Sequence, residues 1–201
     1  MTRALRIAVA DDEADMREFY QSMLPLLGHE VVAAVATGTE LVDRCLALHP
    51  DLVLTDIRMP DMDGIEAAGR ICKEEPVPIL LVSAYQDSEL LERAQADHIM
   101  GYLVKPVEKA HLAPAITIAM YRFEHFQTLR KEAADLRQAL QDRKVIERAK
   151  GIVMKVAGID EQEAFRRLQR MASDKNRKLV QIAEMLLTAE EMVRPAGQSP
   201  I

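Results

Sequence analysis

Four short apolar runs in the first half of this chain each stop on a residue that can bind or carry charge. That repetition constrains the fold more than any other feature. Leu5–Ala10 stops at Asp11-Asp12, Leu52–Thr55 at Asp56, Ile79–Val82 at Ser83, and Tyr102–Val104 at Lys105-Pro106. Runs of this length, bounded by turn residues, read as buried strands. Helix-like segments lie between them, so the pattern is βαβα and the class is α/β with a parallel sheet. It predicts strands near 5–10, 31–36, 52–55, 78–82 and 101–104, with helices near 13–27, 38–48, 64–74, 87–96 and 108–121.

In a parallel sheet the carboxyl ends of the strands open on one crevice. Asp11, Asp12 and Asp56 would repel one another there unless a cation bridged them. Mg²⁺ suits the place, because it takes one or two carboxylates and keeps positions for water and phosphate oxygens. A single Asp after a strand is commonly a helix cap or turn residue. The case for chemistry rests on two carboxylates, a third carboxylate, a hydroxyl and a lysine arriving on successive strand ends in that order.

Those residues, with Met59-Pro60 and Asp63-Gly64 after Asp56 and Ser83-Ala84 after the fourth run, strongly resemble the receiver domain of two-component response regulators. The resemblance spans about residues 4–121. It implies a doubly wound (βα)5, flavodoxin-like fold and phosphorylation of Asp56 by a sensor histidine kinase. Asp56 would be the nucleophile and, with Asp11, Asp12 and the backbone carbonyl of Arg58, a ligand of Mg²⁺. Lys105 would be a point charge facing the phosphoryl group, and Ser83 a hydrogen-bond donor to it. Tyr102 falls where the family carries an aromatic rotamer switch. Gly64 answers a backbone that needs positive φ or a close approach. The segment Asp97-His98-Ile99-Met100-Gly101 departs from the small-residue pattern usual before the fifth strand.

Composition narrows the class further. Cys45 and Cys72 lie in helix-like segments without metal-ligand spacing, as reduced core thiols would. The longest apolar runs fall short of the roughly 18 residues of a membrane span. Met1-Thr2-Arg3-Ala4 leads straight into the first strand, so the expectation is a cytoplasmic protein without a signal peptide. The net charge of −6 is unevenly spread: residues 1–121 hold 10 Lys+Arg against 20 Asp+Glu, whereas residues 143–178 hold 11 against 5. A basic half of this kind suits nucleic acid or another acidic partner, although a solvated helix face produces the same excess.

Beyond residue 121 the strand pattern ends and good helix formers dominate. Neither Pro nor Gly interrupts residues 115–150, so the fifth receiver helix should continue without a flexible linker. Phe126, Leu129, Ala133, Leu136 and Leu140 follow a three-four spacing, which predicts a coiled-coil dimer seam over residues 122–142. The alternative is a helix that packs on its own domain. Residues 143–193 then read as an all-α output of three helices: about 143–156 ending near Gly158, a second from Asp160 with Glu163 in an approximate capping box, and a third over about 178–193. Residues 194–201 read as a flexible tail.

Arg148-Ala149-Lys150-Gly151-Ile152-Val153-Met154, Glu163-Ala164-Phe165, Leu168, Met171-Ala172, Asn176-Arg177-Lys178-Leu179 and Ile182-Ala183 resemble the ANTAR domain of bacterial transcription antiterminators. That resemblance implies binding to paired stem-loops in a leader RNA, which would prevent formation of an intrinsic terminator. Together with the heptad seam, the expectation is a homodimer when Asp56 is phosphorylated. Lys144, Arg148, Lys150, Arg170, Arg177 and Lys178 are the candidates for phosphate contacts, and Asn176 for a base edge. The competing readings are a DNA-binding response regulator and a receiver with a protein-interaction output. No second catalytic constellation accompanies the five histidines, so an enzyme is not expected.

Overall fold

The computed structural model describes residues 3–83 and 98–193. Five parallel strands form one sheet in the order β2-β1-β3-β4-β5: β1 Arg6–Ala10, β2 Glu30–Val35, β3 Leu52–Asp56, β4 Ile79–Ser83 and β5 Ile99–Val104. Three helices, α1 Ala14–Leu26, α2 Gly38–Leu48 and α3 Gly64–Glu74, fill the crossovers between the first four strands. The helix expected over 87–96 lies outside the described residues.

The strand period of two divides the core into two layers. Ala8, Ala10, Val53, Ile79 and Leu81 face α2 and α3, packing with Leu41, Cys45, Ile65 and Ile71. Ile7, Val9, Leu52, Leu54, Leu80 and Val82 face the other way, against Tyr20 and Leu24 of α1 and Leu112, Ile116 and Ala119. Side chains of β3 and β4 are therefore buried on both faces, as a doubly wound sheet requires.

The unusual segment before β5 carries a local irregularity. Ile79 pairs with Ile99 and Leu80 with Gly101, so buried Met100 is an extra residue in β5. The displaced register is a β-bulge, and Gly101 sits where a Cβ would lie 3.1 Å from Leu80 Cδ2.

A single helix, α4, spans Lys109–Ala157. Its first turns belong to a compact unit comprising Met1–Thr128, and its last turns to a second unit, Leu129–Ile201. Every residue from Thr128 to Gln141 is exposed. Gly158 closes the helix with φ of 63°, its N–H donating to the Met154 carbonyl. In the second unit, α5 Glu161–Asp174 and α6 Leu179–Val193 pack with the end of α4 around Ala149, Leu168, Ala172, Ile182 and Ala183. Asp160 caps α5 by accepting from the Glu163 N–H at 2.8 Å.

Candidate functional site

The carboxyl ends of β1, β3, β4 and β5 bring together the residues that the sequence placed there. Asp11 follows β1 and is fully buried; Asp56 closes β3 and Ser83 closes β4, both buried. Lys105 follows β5, and its N–H donates to the Ser83 carbonyl at 2.9 Å. The Lys105–Pro106 peptide is cis. Lys105 Nζ lies 2.6 Å from Asp56 Oδ2, 2.8 Å from Glu13 Oε1 and 3.1 Å from Asp11 Oδ2. One ammonium thus serves three carboxylates, two at strand ends and one at the start of α1. Tyr102, within β5, is 57 % exposed.

Electrostatics follow from burial and this shared lysine. Burial pushes the Asp11 carboxyl up, against the opposing pull of the Glu13 N–H and Lys105. Burial also works to discharge Lys105, but hydrogen bonds to Asp56 and Glu13 outweigh it and raise its pKa. Lys105 holds Glu13 below the usual carboxylate range. Glu13 is a member of the site that the strand-end pattern missed, because it lies one residue beyond the acidic pair and looks like an ordinary helix-start carboxylate.

The donor set fits a hard divalent cation. Asp11, Asp12, Glu13 and Asp56 each offer an oxygen, all within 4.8 Å of one another. Asp11 Oδ2 is buried and accepts no hydrogen bond among the described residues, its approach to Lys105 being that of an ion pair. An all-oxygen set of this kind suits Mg²⁺, Mn²⁺ or Ca²⁺. The Arg58 N–H donates to Asp56 Oδ1 at 3.2 Å, which fixes the nucleophile candidate's second oxygen.

Gly64 explains itself by close approach rather than by φ. A Cβ there would lie 2.0 Å from the Asp56 carbonyl oxygen, and the Gly64 N–H donates to the Ile57 carbonyl at 2.8 Å. Asp63, the N-cap of α3, receives the Glu66 N–H at 2.7 Å. The loop after Asp56 is thereby drawn back onto the strand that carries it.

The basic candidates of the second unit have unlike surroundings. Lys150 is buried, bonded to Glu161 at 2.6 Å and Glu147 at 2.8 Å, with Nζ 5.8 Å from the Phe165 ring centroid. It ties α4 to α5 inside the domain. Asn176 has φ of 50° and stands at the C′ position of α5. Its N–H donates to the Ser173 carbonyl, and that of Arg177 to the Ala172 carbonyl, the paired bonds of a Schellman motif. Asparagine tolerates this left-handed conformation, which gives it a local structural reason. Lys144, Arg148, Arg170, Arg177 and Lys178 are exposed. Arg166 and Arg167, absent from the sequence expectation, join Arg170 around Glu163.

The predicted seam is split. Phe126 packs with the first unit's core, its ring edge-on to His98. Leu129, Ala133, Leu136 and Leu140 are exposed on the stretch of α4 that follows.

A five-stranded parallel sheet ordered 2-1-3-4-5, with acids and a lysine at its carboxyl edge, defines a response-regulator receiver. The model of the response regulator receiver domain matches residues 7–117, and that of the ANTAR domain matches residues 134–187. The transcriptional regulatory protein PdtaR of Mycobacterium tuberculosis (strain ATCC 25618 / H37Rv) is 38% identical over 182 residues, covering 90% of this chain and 89% of the relative. The regulatory protein AtoC of Escherichia coli (strain K12) is 33% identical over 141 residues, covering 70% of this chain and 30% of its own. Among solved structures, the signal receiver domain of a modulated diguanylate cyclase from Desulfovibrio desulfuricans G20 superposes with a TM-score of 0.57 at 28% identity. It covers 61% of this chain and 98% of that one. The chain belongs to the response regulators that join a receiver to an RNA-binding ANTAR output. That architecture is regulatory and not catalytic. No helix among the described residues is long and apolar enough to cross a membrane.

Proposed function

We propose that this protein is a phosphorylation-controlled transcription antiterminator. The observation that carries the reading is the placement of Lys105 Nζ, 2.6 Å from Asp56 Oδ2 at the mouth of the acidic cluster. Phosphoryl transfer needs a positioned nucleophile and positive charge on the equatorial oxygens. An Asp56 oxygen attacks phosphorus as the bond to a kinase histidine nitrogen breaks, and the electron pair returns to the imidazole. Lys105, now shared among carboxylates, turns to the incoming phosphoryl oxygens. Ser83 donates to one of them, and Tyr102 repacks from its exposed position. Asp11, Asp12, Asp56 and the Arg58 carbonyl would hold Mg²⁺, which supplies charge neutralisation for the transferring group.

Downstream, the exposed Leu129, Leu136 and Leu140 support a homodimer seam in the phosphorylated state. Two ANTAR domains linked in that way would engage two stem-loops of one leader RNA with an avidity neither has alone. Occupied stem-loops would keep the transcript from forming its terminator.

The phosphoryl step is tested by incubating wild type and Asp56→Asn with acetyl phosphate, with Mg²⁺ or with chelator. Intact mass should show one added phosphoryl group only in wild type with Mg²⁺. Equal labelling of the Asn variant would remove Asp56 from its role.

A further inference from the structure

Within residues 143–178, carboxylates are distributed unequally among the cations. Asp160 is used as the cap of α5. Glu147 and Glu161 both serve one lysine, Lys150, at 2.8 and 2.6 Å. Glu163 alone faces three guanidinium groups: Arg170 at 3.5 Å, Arg166 at 3.6 Å and Arg167 at 3.7 Å. Lys150 is neutralised in excess, and the arginines are left with an excess of positive charge.

The geometry of the arginines follows from helical spacing. Positions three, four and seven residues after Glu163 lie on one face of α5. The opposite side buries Ala164, Leu168 and Ala172. All three arginine side chains are at least half exposed. Their separations from Glu163 exceed the roughly 2.7–2.9 Å of a charge-assisted hydrogen bond, so the carboxylate gathers the guanidinium groups without saturating them. A guanidinium offers five donors in a planar fork that matches phosphate oxygens. A dianionic cluster would hold such a group shut, as it does Lys150. Here one loosely placed carboxylate leaves the forks open.

We infer that Arg166, Arg167 and Arg170 form the phosphate-binding face of the output domain, with Glu163 as an internal counter-ion that the RNA backbone displaces. This rests on the RNA-binding reading above. It assigns the main electrostatic contact to the middle of α5 rather than to buried Lys150. Glu163 then has two effects: it pre-gathers the arginines and competes with the phosphate. Lowering the competition outweighs the loss of gathering, because α5 already fixes the arginines on one face.

The test uses the full chain, activated with beryllofluoride and Mg²⁺, and a fluorescein-labelled RNA of two hairpins joined by a single-stranded linker, titrated across a range of salt. Replacing all three arginines (R166Q/R167Q/R170Q) should weaken binding on the order of tenfold or more. It should also reduce the slope of log affinity against log salt by about 0.7–0.9 for each phosphate that is no longer neutralised. Glu163→Gln should tighten binding several-fold at the same salt. A control variant, R44Q/K73Q/K109Q, removes equal charge from exposed positions of the first unit and should keep the wild-type slope. Circular dichroism melts establish that each variant is folded. Wild-type binding with an unchanged slope in the triple-arginine variant would overturn this assignment while leaving RNA binding intact. An equally reduced slope in the control would overturn it too, by reducing the effect to net charge. Failure of wild type and every variant to bind would overturn both this inference and the RNA reading beneath it.

Discussion

Gly64 shows how a single residue sets the site. Its missing Cβ lets the start of α3 fold back to the Asp56 carbonyl, where a methyl group would lie 2.0 Å away. The affected neighbour is backbone, which cannot rotate aside. Overpacking of this kind typically costs about 1–3 kcal/mol. Gly64→Ala should therefore lower the denaturant midpoint by a corresponding amount and slow phosphoryl acceptance, read by urea melts and intact mass. Wild-type values in both would show that the loop yields freely. The glycine was legible in the sequence as a special position, but not which demand it met, because positive φ and close approach leave the same letter. Asn176 carried a similar ambiguity. A polar residue inside a matching motif reads as a ligand contact, and only its φ of 50° and the two bonds around it show a helix end.

At the scale of elements, the join between α4 and α5 depends on Lys150 with Glu161. Hydrogen bonds to Glu147 and Glu161 raise the Lys150 pKa, and the bond from Lys150 lowers that of Glu161. For the lowered carboxylate, the contribution to stability is complete above the unfolded value of about 4.3 and disappears as pH falls through the folded one. For the raised lysine, it is complete below about pH 10.4 and is lost as pH rises through the folded value. Glu161→Gln should lower the melting temperature of the second unit at neutral pH. The deficit should close as both proteins are taken to about pH 3, below the carboxylate range. A deficit independent of pH would make the effect one of packing or helix propensity. The helices themselves were readable from spacing and caps: Asp160 and Gly158 mark the boundary between α4 and α5 where the sequence put it. The burial of Lys150 was not readable, since its partner Glu161 lies across an inter-helix turn and periodicity carries no information about such a pair.

For the whole molecule, the strand-end series was legible because a parallel sheet converts order along the chain into proximity at one edge. The same rule is silent on Glu13, which reaches Lys105 from the start of α1. The residues of the proposed seam do not share one environment. Heptad spacing cannot distinguish Phe126, absorbed into the first unit's core, from the exposed leucines beyond it. Acidic and basic halves give the molecule a second property. The proposed phosphorylation would add about −1.5 to −2 charges to a unit that is already acidic, so tighter RNA binding in that state would require a change in assembly, not attraction. The most direct measurement is the affinity of the full chain for a two-hairpin leader RNA, with and without beryllofluoride and Mg²⁺ as a mimic of the acyl phosphate. Tighter binding on activation, accompanied by a shift from monomer to dimer, is the predicted result. Equal affinity in the two states would contradict phosphorylation control, separating the receiver from its output.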